Sequence, residues 1–275
     1  MKLKGKIGSK VFEVILWIFS LIVLIPYLLV VLTSVKSSRE AGLFQLNIPS
    51  EIHILDNYKV VFEKGNIVQG FINSVVITGI SVAIILLCSS MLSYYIARVK
   101  NRVSYSLYIY FIMGMTTPIS LVTTFQMLKM IKLLNTKLGV ILIFCSILIP
   151  FASFIYVGFI KSIPMEMDEA AIIDGSGPYR LFASIILPLL KPASFTCLIL
   201  VFMSVWNDAQ IVLFFLSRSE DWTMPLNIYR FFSYYRRDWN YIFGSVCLST
   251  LPVIILYLFG QRYIIEGMIS GAVKG

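Results

Sequence analysis

Six apolar stretches, at 11–32, 71–97, 105–128, 138–160, 193–216 and 242–264, constrain this chain more than any other feature. Each is at least as long as the roughly 20 residues that an α-helix needs to cross the hydrocarbon core of a bilayer. No water reaches that depth, so backbone N–H and C=O groups must be satisfied within each segment, and the spans are expected to be helices. The expected fold is therefore all-α: a polytopic membrane protein with six transmembrane helices. Composition agrees, with 58% hydrophobic and 13% charged residues, against about a quarter charged in soluble domains. The first stretch exceeds the 7 to 15 apolar residues of a signal peptide and lacks a small-residue cleavage site, so it reads as an uncleaved span.

Loop charge sets the orientation. Lys2, Lys4, Lys6 and Lys10 precede the first span with no acid before Glu13, and Arg98, Lys100 and Arg102 crowd one short loop. Both sit on the inner side if the N-terminus is cytoplasmic, as the positive-inside rule favours. An even number of spans then gives an N-in, C-in protein of the cell (cytoplasmic) membrane. Over the whole chain, twelve of the 23 basic residues fall inside and eleven outside, so the total count does not decide the matter. The chain divides into 1–70 (tail, first span and outer loop), 71–264 (a five-span core with an inner loop at 161–192) and a cytoplasmic tail at 265–275. Pro26, Pro118, Pro150 and Pro252 lie within spans, where a proline removes one helical hydrogen bond and bends the axis.

Several function classes fall away. The net charge of +9 is scattered among apolar runs and makes no basic stripe, so no nucleic-acid partner is expected. Cys88, Cys145, Cys197 and Cys247 lie inside spans without CxxC spacing and read as packed thiols. His53 is the single histidine, with no second ligand near it in sequence, so no metal is expected.

The stretch 169–188, EAAIIDGSGPYRLFASIILP, is the main polar interruption on the inner side. Pro164 suits a first helical turn, Glu166, Asp168 and Glu169 suit the positive end of a helix dipole, and Gly175 suits a C-terminal cap. Pro178 then opens a second short helix running to about Ile186, which Pro188 ends or bends. On the first helix Met167, Ala170, Ala171 and Asp174 share one side, and Met165, Glu169, Ile172 and Ile173 the neighbouring one. Small residues and an acid beside apolar anchors suit a protein partner. A helix resting on lipid is the alternative, but such helices carry lysine and arginine on the polar face.

Glu169-Ala170-Ala171, three residues, Gly175, nine residues, Ile185, one residue, Leu187-Pro188 resembles the EAA loop of type I ABC importer permeases at every position of that pattern. Phe71-Ile72-Asn73-Ser74, Asn135-Thr136, Asp174-Gly175, Trp206-Asn207-Asp208, Gln261-Arg262-Tyr263 and the ending Gly271-Ala272-Val273-Lys274-Gly275 look like the carbohydrate-uptake branch. The ending in particular resembles the shorter permease of the maltose-type pair.

The resemblance implies a type I ABC importer transmembrane fold and a set of partners. These are a second homologous permease, two ATPase subunits docked on the EAA loops, an extracellular solute-binding protein and a sugar substrate. Glu169, Ala170, Ala171, Asp174, Gly175, Ile185, Leu187 and Pro188 would form the docking and coupling element. Gly271, Lys274 and Gly275 would contact the ATPases. The chain has no GxxxxGK[ST] loop, so it is expected to be no enzyme and to bind no cofactor, with ATP and Mg held by the ATPase subunits. Trp206, Asn207 and Asp208, with Asn73 and Pro118, are assigned to the solute path, with interhelical hydrogen bonding as the alternative. In the outer loop, Tyr235, Arg236 and Arg237 offer aromatic and cationic contacts to a sugar, the alternative being an interfacial aromatic belt with a binding-protein surface.

Two other readings are weaker. Polyamine, phosphate and peptide permeases share the EAA loop. An ion-driven secondary transporter would show internal repeats, interrupted helices and mid-depth acids, of which only Asp208 is visible.

Overall fold

Four helices are long and apolar enough to cross a bilayer unaided: Phe12–Ser34, Ile67–Arg98, Lys137–Ile160 and Trp239–Gln261. The computed structural model describes residues 2–232 and 238–272, with side chains placed for residue 10, 12–232 and 238–261. In chain order the helices are α1 (Lys2–Ser34), α2 (Ser38–Ala41), α3 (Ile54–Lys64), α4 (Ile67–Arg98), α5 (Arg102–Thr116), α6 (Leu121–Met130) and α7 (Lys137–Ile160). They continue as α8 (Glu166–Ile173), α9 (Pro178–Leu189), α10 (Lys191–Trp206), α11 (Gln210–Phe215), α12 (Met224–Asn227) and α13 (Trp239–Ala272). Counting each bent pair as one span gives up to six crossings.

Two expected spans are broken rather than continuous. The stretch 105–128 is divided into α5 and α6, whose axes turn by 117°. Thr117, immediately before Pro118, adopts φ −85° and ψ 118°, because the proline ring disfavours helical geometry in its predecessor. Pro118 thus stops the helix instead of merely kinking it. The stretch 193–216 is broken between Trp206 and Gln210. There Asp208 Oδ1 accepts the Ile211 N–H at 2.7 Å and serves the start of α11. By contrast Pro26, Pro150 and Pro252 lie inside helices that continue through them.

The chain groups into two compact units, Met1–Val68 with Asn227–Leu251, and Gln69–Leu226 with Pro252–Gly275. In the first, a buried amide network orders the outer segment. Asn57 Nδ2 donates to the carbonyls of Ser34 and Lys36, both at 2.9 Å, and Asn240 Nδ2 donates to Asn57 Oδ1 at 2.9 Å. Lys36, fully buried, donates to the Gln45 carbonyl and to Asn47 Oδ1 at 2.7 and 2.6 Å. The segment read as a connecting loop is therefore an ordered cap in which α3 extends the short helix expected near 57–62.

In the second unit α7 is the central helix: half of its membrane window is buried, against 39% for α4. Val140, Ile141, Phe144, Cys145, Ala152 and Tyr156 of α7 meet Cys197, Val201 and Val205 of α10 in one core. Against α7, α4 presents a stripe of small hydroxyl residues, including Ser81, Ser89 and Ser93, all fully buried. Ser89 Oγ donates to the Ile149 carbonyl and Ser93 Oγ to the Ser153 carbonyl, at 3.2 and 3.0 Å. Lipid chains are as apolar as leucine, so close approach of small residues and interhelical hydrogen bonds hold such helices together.

Candidate functional site: the α8–α9 loop

The inner loop folds as local backbone chemistry dictates. α8 begins at Glu166, two residues after Pro164, with Glu166, Asp168 and Glu169 in its first turn. It ends in a Schellman cap: Ser176 N–H bonds to the Ala171 carbonyl at 2.9 Å and Gly175 N–H to the Ile172 carbonyl at 3.0 Å. Gly175 has φ +79°, the left-handed region that glycine enters without penalty. α9 opens with Pro178 in its first turn. Its turn Phe182–Ile186 is π-helical, with Leu187 N–H reaching the Phe182 carbonyl. The wider turn precedes Pro188, which has no N–H to give, so α9 runs on past Pro188 to Leu189. It then meets α10 at a 74° bend.

Gly175 yields a graded prediction. A Cβ there would meet no atom within 4 Å, so only the backbone objects, by about 1–2 kcal/mol for an ordinary L-residue. Gly175→Leu is expected to abolish uptake while the chain still reaches the membrane, and Gly175→Asn, which tolerates this conformation, to retain a substantial part. Membrane-fraction immunoblots beside uptake assays measure both, and equal activity of the two variants would refute the role of the turn.

The loop's faces do not divide as helical spacing alone suggests. Ala171 is 4% exposed and belongs to the core, together with Leu181, Ile186 and Leu190. Glu169, Ala170, Asp174, Gly175 and Pro188 are exposed, and Ile185 and Leu187 are half-buried. Ala170 and Ala171, grouped on one side by sequence, are thus separated: the first faces out and the second packs inward. On the same helix Ile172 and Ile173, three and four residues on from Glu169, are 60% and 84% exposed, and Tyr179 at the start of α9 is 84% exposed. Exposed apolar side chains beside carboxylates, outside the membrane spans, make a surface suited to cover by protein.

Asp168, assigned by sequence only to the helix dipole, is one of the loop's most buried groups, at 6% exposure. Its Oδ2 lies 2.8 Å from Arg98 Nε. Arg98 Nη2 donates to Asp168 Oδ1 at 3.2 Å and Nη1 to the Ile163 carbonyl at 3.1 Å. Tyr94 completes the set, its hydroxyl donating to Asp168 Oδ2 at 3.3 Å and its ring lying 5.7 Å from that of Phe182. The last turn of α4 therefore grips α8 by one charge-assisted hydrogen bond and a close ion pair. A usable sequence signal existed: opposite charges in the two inner loops, Arg98 after the second span and Asp168 after the fourth.

The residues assigned to the solute path separate into two groups. Asn73 is fully buried, and all its polar atoms are engaged. Its Nδ2 donates to the Glu220 and Trp222 carbonyls at 2.8 and 3.0 Å, and its Oδ1 accepts from Lys137 Nζ at 2.7 Å and Gln69 Nε2 at 3.1 Å. These bonds fasten the outer loop 217–223 to α4, which is the hydrogen-bonding alternative to a place in the solute path. Trp206 is 2% exposed and stacks on Phe202 with centroids 5.3 Å apart, so its ring is packed between helices. Asn207 is exposed and Asp208 half-buried, both at the break between α10 and α11. That break and the one at Pro118 border a single cavity of about 290 Å³, lined by Ile119, Leu121, Phe144, Ser204, Asp208 and Gln210. Pro118 itself lines a neighbouring cavity of about 750 Å³. Irregular backbone at membrane depth is tolerated where it is buried in protein or lines a cavity.

Asn135 and Thr136 have structural roles. Asn135, at φ +61°, accepts from the Ser217 N–H and hydroxyl at 3.1 and 2.7 Å, and Thr136 caps α7 by accepting from Gly139 N–H at 3.0 Å. Gly271 falls on the backbone of α13. Tyr235, Arg236, Arg237, Lys274 and Gly275 lie outside the described residues.

Comparison with known proteins supplies the family. Residues 89–269 match the family described as binding-protein-dependent transport system inner membrane component. A starch degradation products transport system permease of Thermoanaerobacterium thermosulfurigenes is 34% identical over 94% of each chain. The multiple sugar-binding transport system permease MsmG of Streptococcus mutans is 35% identical over the full length of both. The melibiose/raffinose/stachyose import permease MelC of Bacillus subtilis is 32% identical over 91% of each. In fold, a chain of a bacterial ABC transporter that imports the acidic polysaccharide alginate superposes with a TM-score of 0.81 at 21% identity, covering 95% of this chain and 98% of that one. Interrupted helices, which by themselves also suit a secondary transporter, are thus part of an ABC importer fold here. With a match over residues 89–269 and full-length relatives above 30% identity, this chain belongs to the inner membrane components of binding-protein-dependent transport systems.

Proposed function

We propose that the chain is the permease subunit of an importer that carries a sugar or oligosaccharide across the cytoplasmic membrane. It works beside a second permease, with ATP and Mg bound by two separate ATPase subunits, one of them docked on the outward face of α8. The observation that carries this reading is Glu169 standing exposed beside Ile172 and Ile173, while Asp168 and Ala171 of the same helix are buried. A helix anchored on one face, with exposed apolar side chains beside a carboxylate on the other, is built to receive a partner. The solute reading is supported by the full-length relatives, whose names specify starch degradation products, multiple sugars and melibiose, raffinose or stachyose. A binding-protein partner is supported by the family description and by the likeness to an alginate transporter solved with its alginate pentasaccharide-bound periplasmic protein. Within the chain, the cavity bordered by the Pro118 and Asn207–Asp208 breaks is our choice for the solute path.

The test uses the solute-binding protein of this importer. A ligand at 100 times its Kd stabilises a protein by about 2.7 kcal/mol, enough to raise a melting temperature by several degrees. Raffinose, maltotriose and an alginate trisaccharide are the probes, against spermidine, phosphate and a tripeptide. Stabilisation by at least one saccharide and by none of the others is expected; stabilisation by a non-sugar alone would replace the sugar reading.

A further inference from the structure

α8 is a helix of eight residues between two turns, and its outward face is the docking surface just described. What connects it to the membrane helices is narrow. Ala171 packs into the core, and Asp168 meets Arg98 with side chains 9% and 10% exposed. Buried ion pairs are poor stabilisers, since desolvation offsets most of their attraction, so this one needs another reason.

The opposite end of α4 supplies it. Asn73 holds the Glu220 and Trp222 carbonyls, and Ser74 Oγ accepts from Met224 N–H at 2.8 Å. One continuous helix therefore grips the docking element at Arg98 and the outer loop at Asn73 and Ser74. Twenty-five residues of α-helix separate the two grips, about 37 Å at 1.5 Å per residue, more than the roughly 30 Å of the hydrocarbon core.

We propose that α4 is the rod that carries movement of the docked ATPase to the outer mouth of the pathway. Arg98 and Asp168 are then positioning residues for coupling, distinct from Glu169, which meets the partner. The inference rests on the docking reading of α8. The charge pair supplies a joint stiff in two directions, because the guanidinium is held by both carboxylate oxygens and by the Ile163 carbonyl, whereas a single apolar contact would let α8 slide.

The experiment uses the complete importer, with its partner permease, ATPases and binding protein, reconstituted in vesicles. Asp168→Asn keeps shape and hydrogen-bonding oxygen but removes the charge. Moles of raffinose or maltotriose imported per ATP hydrolysed are expected to fall at least ten-fold, while the ATPase retained on the tagged permease changes less than two-fold. Asp168→Glu is expected to recover at least half of the ratio. Glu169→Ala, run in parallel, should instead lose the ATPase; if it does not, the docking reading fails and the joint is judged separately. That separate measure is amide hydrogen exchange over 166–173 in the permease alone, expected at least ten-fold faster in Asp168→Asn. If Asp168→Asn does not reach the membrane, Arg98→Lys, which keeps the charge with one contact, is read the same way. An unchanged transport ratio, unchanged exchange, or loss of transport that merely follows loss of bound ATPase would overturn the proposal.

Discussion

Glu169→Ala is expected to lower uptake about 30-fold or more without removing the chain from the membrane. Glu169 is exposed and makes no ion pair within 4.0 Å among the described residues, so within this chain its loss resembles an ordinary surface substitution, worth about 0.5 kcal/mol or less. The consequence falls on the complex. A carboxylate that becomes buried against a cation in the docked state leaves that cation unpaired when truncated, at about 2–5 kcal/mol. Each 1.4 kcal/mol is a factor of ten. Co-purification of the ATPase with the tagged permease, beside uptake in cells, separates the two effects. Unchanged co-purification would sink the docking role, and Glu169→Gln should fall between wild type and alanine if charge and shape both contribute.

Asn73→Ala is expected to lower stability by about 1–3 kcal/mol, the usual cost of leaving one buried polar group without its partner. The half-buried Trp222 carbonyl loses its donor, whereas Glu220 is exposed and water can serve its carbonyl. Lys137 Nζ also loses its 2.7 Å partner, keeping Asp221 Oδ1 at 3.6 Å. Asn73→Asp should fail similarly, since a carboxylate would face the Glu220 and Trp222 carbonyl oxygens at hydrogen-bonding distance. The apparent melting temperature of the detergent-solubilised chain and proteolysis of the outer loop 217–223 provide the readouts. Normal stability combined with altered sugar selectivity would return Asn73 to the solute path.

Both predictions depend on features that sequence displays unequally. Glu169 is legible because the EAA pattern is a local spacing, and its helix ends where Gly175 allows a left-handed turn. Asn73 is legible as a motif but not as a job: its hydrogen-bonding carbonyls lie roughly 150 residues away, where no periodicity connects them. Arg98 and Asp168 are similarly separated by 70 residues. Pro118 illustrates an intermediate case. The bend was readable, because a proline in a helix interior costs that helix a hydrogen bond, but the turn of 117° was not.

By itself the sequence determined the quantities that depend on chain-local chemistry. Span lengths follow from the thickness of the hydrocarbon core, and the end of α8 at Gly175 and the start of α9 at Pro178 follow from glycine and proline geometry. Only the tertiary structure decided which way side chains face. Ala170 and Ala171 are neighbours with the same chemistry, and one is exposed while the other is buried. Asp168 and Glu169 are neighbouring acids, one joined to α4 and the other presented outward. Helical spacing fixes the angle between such residues but not the direction of either. That direction is chosen by the element that offers a partner, here an arginine at the far end of another helix.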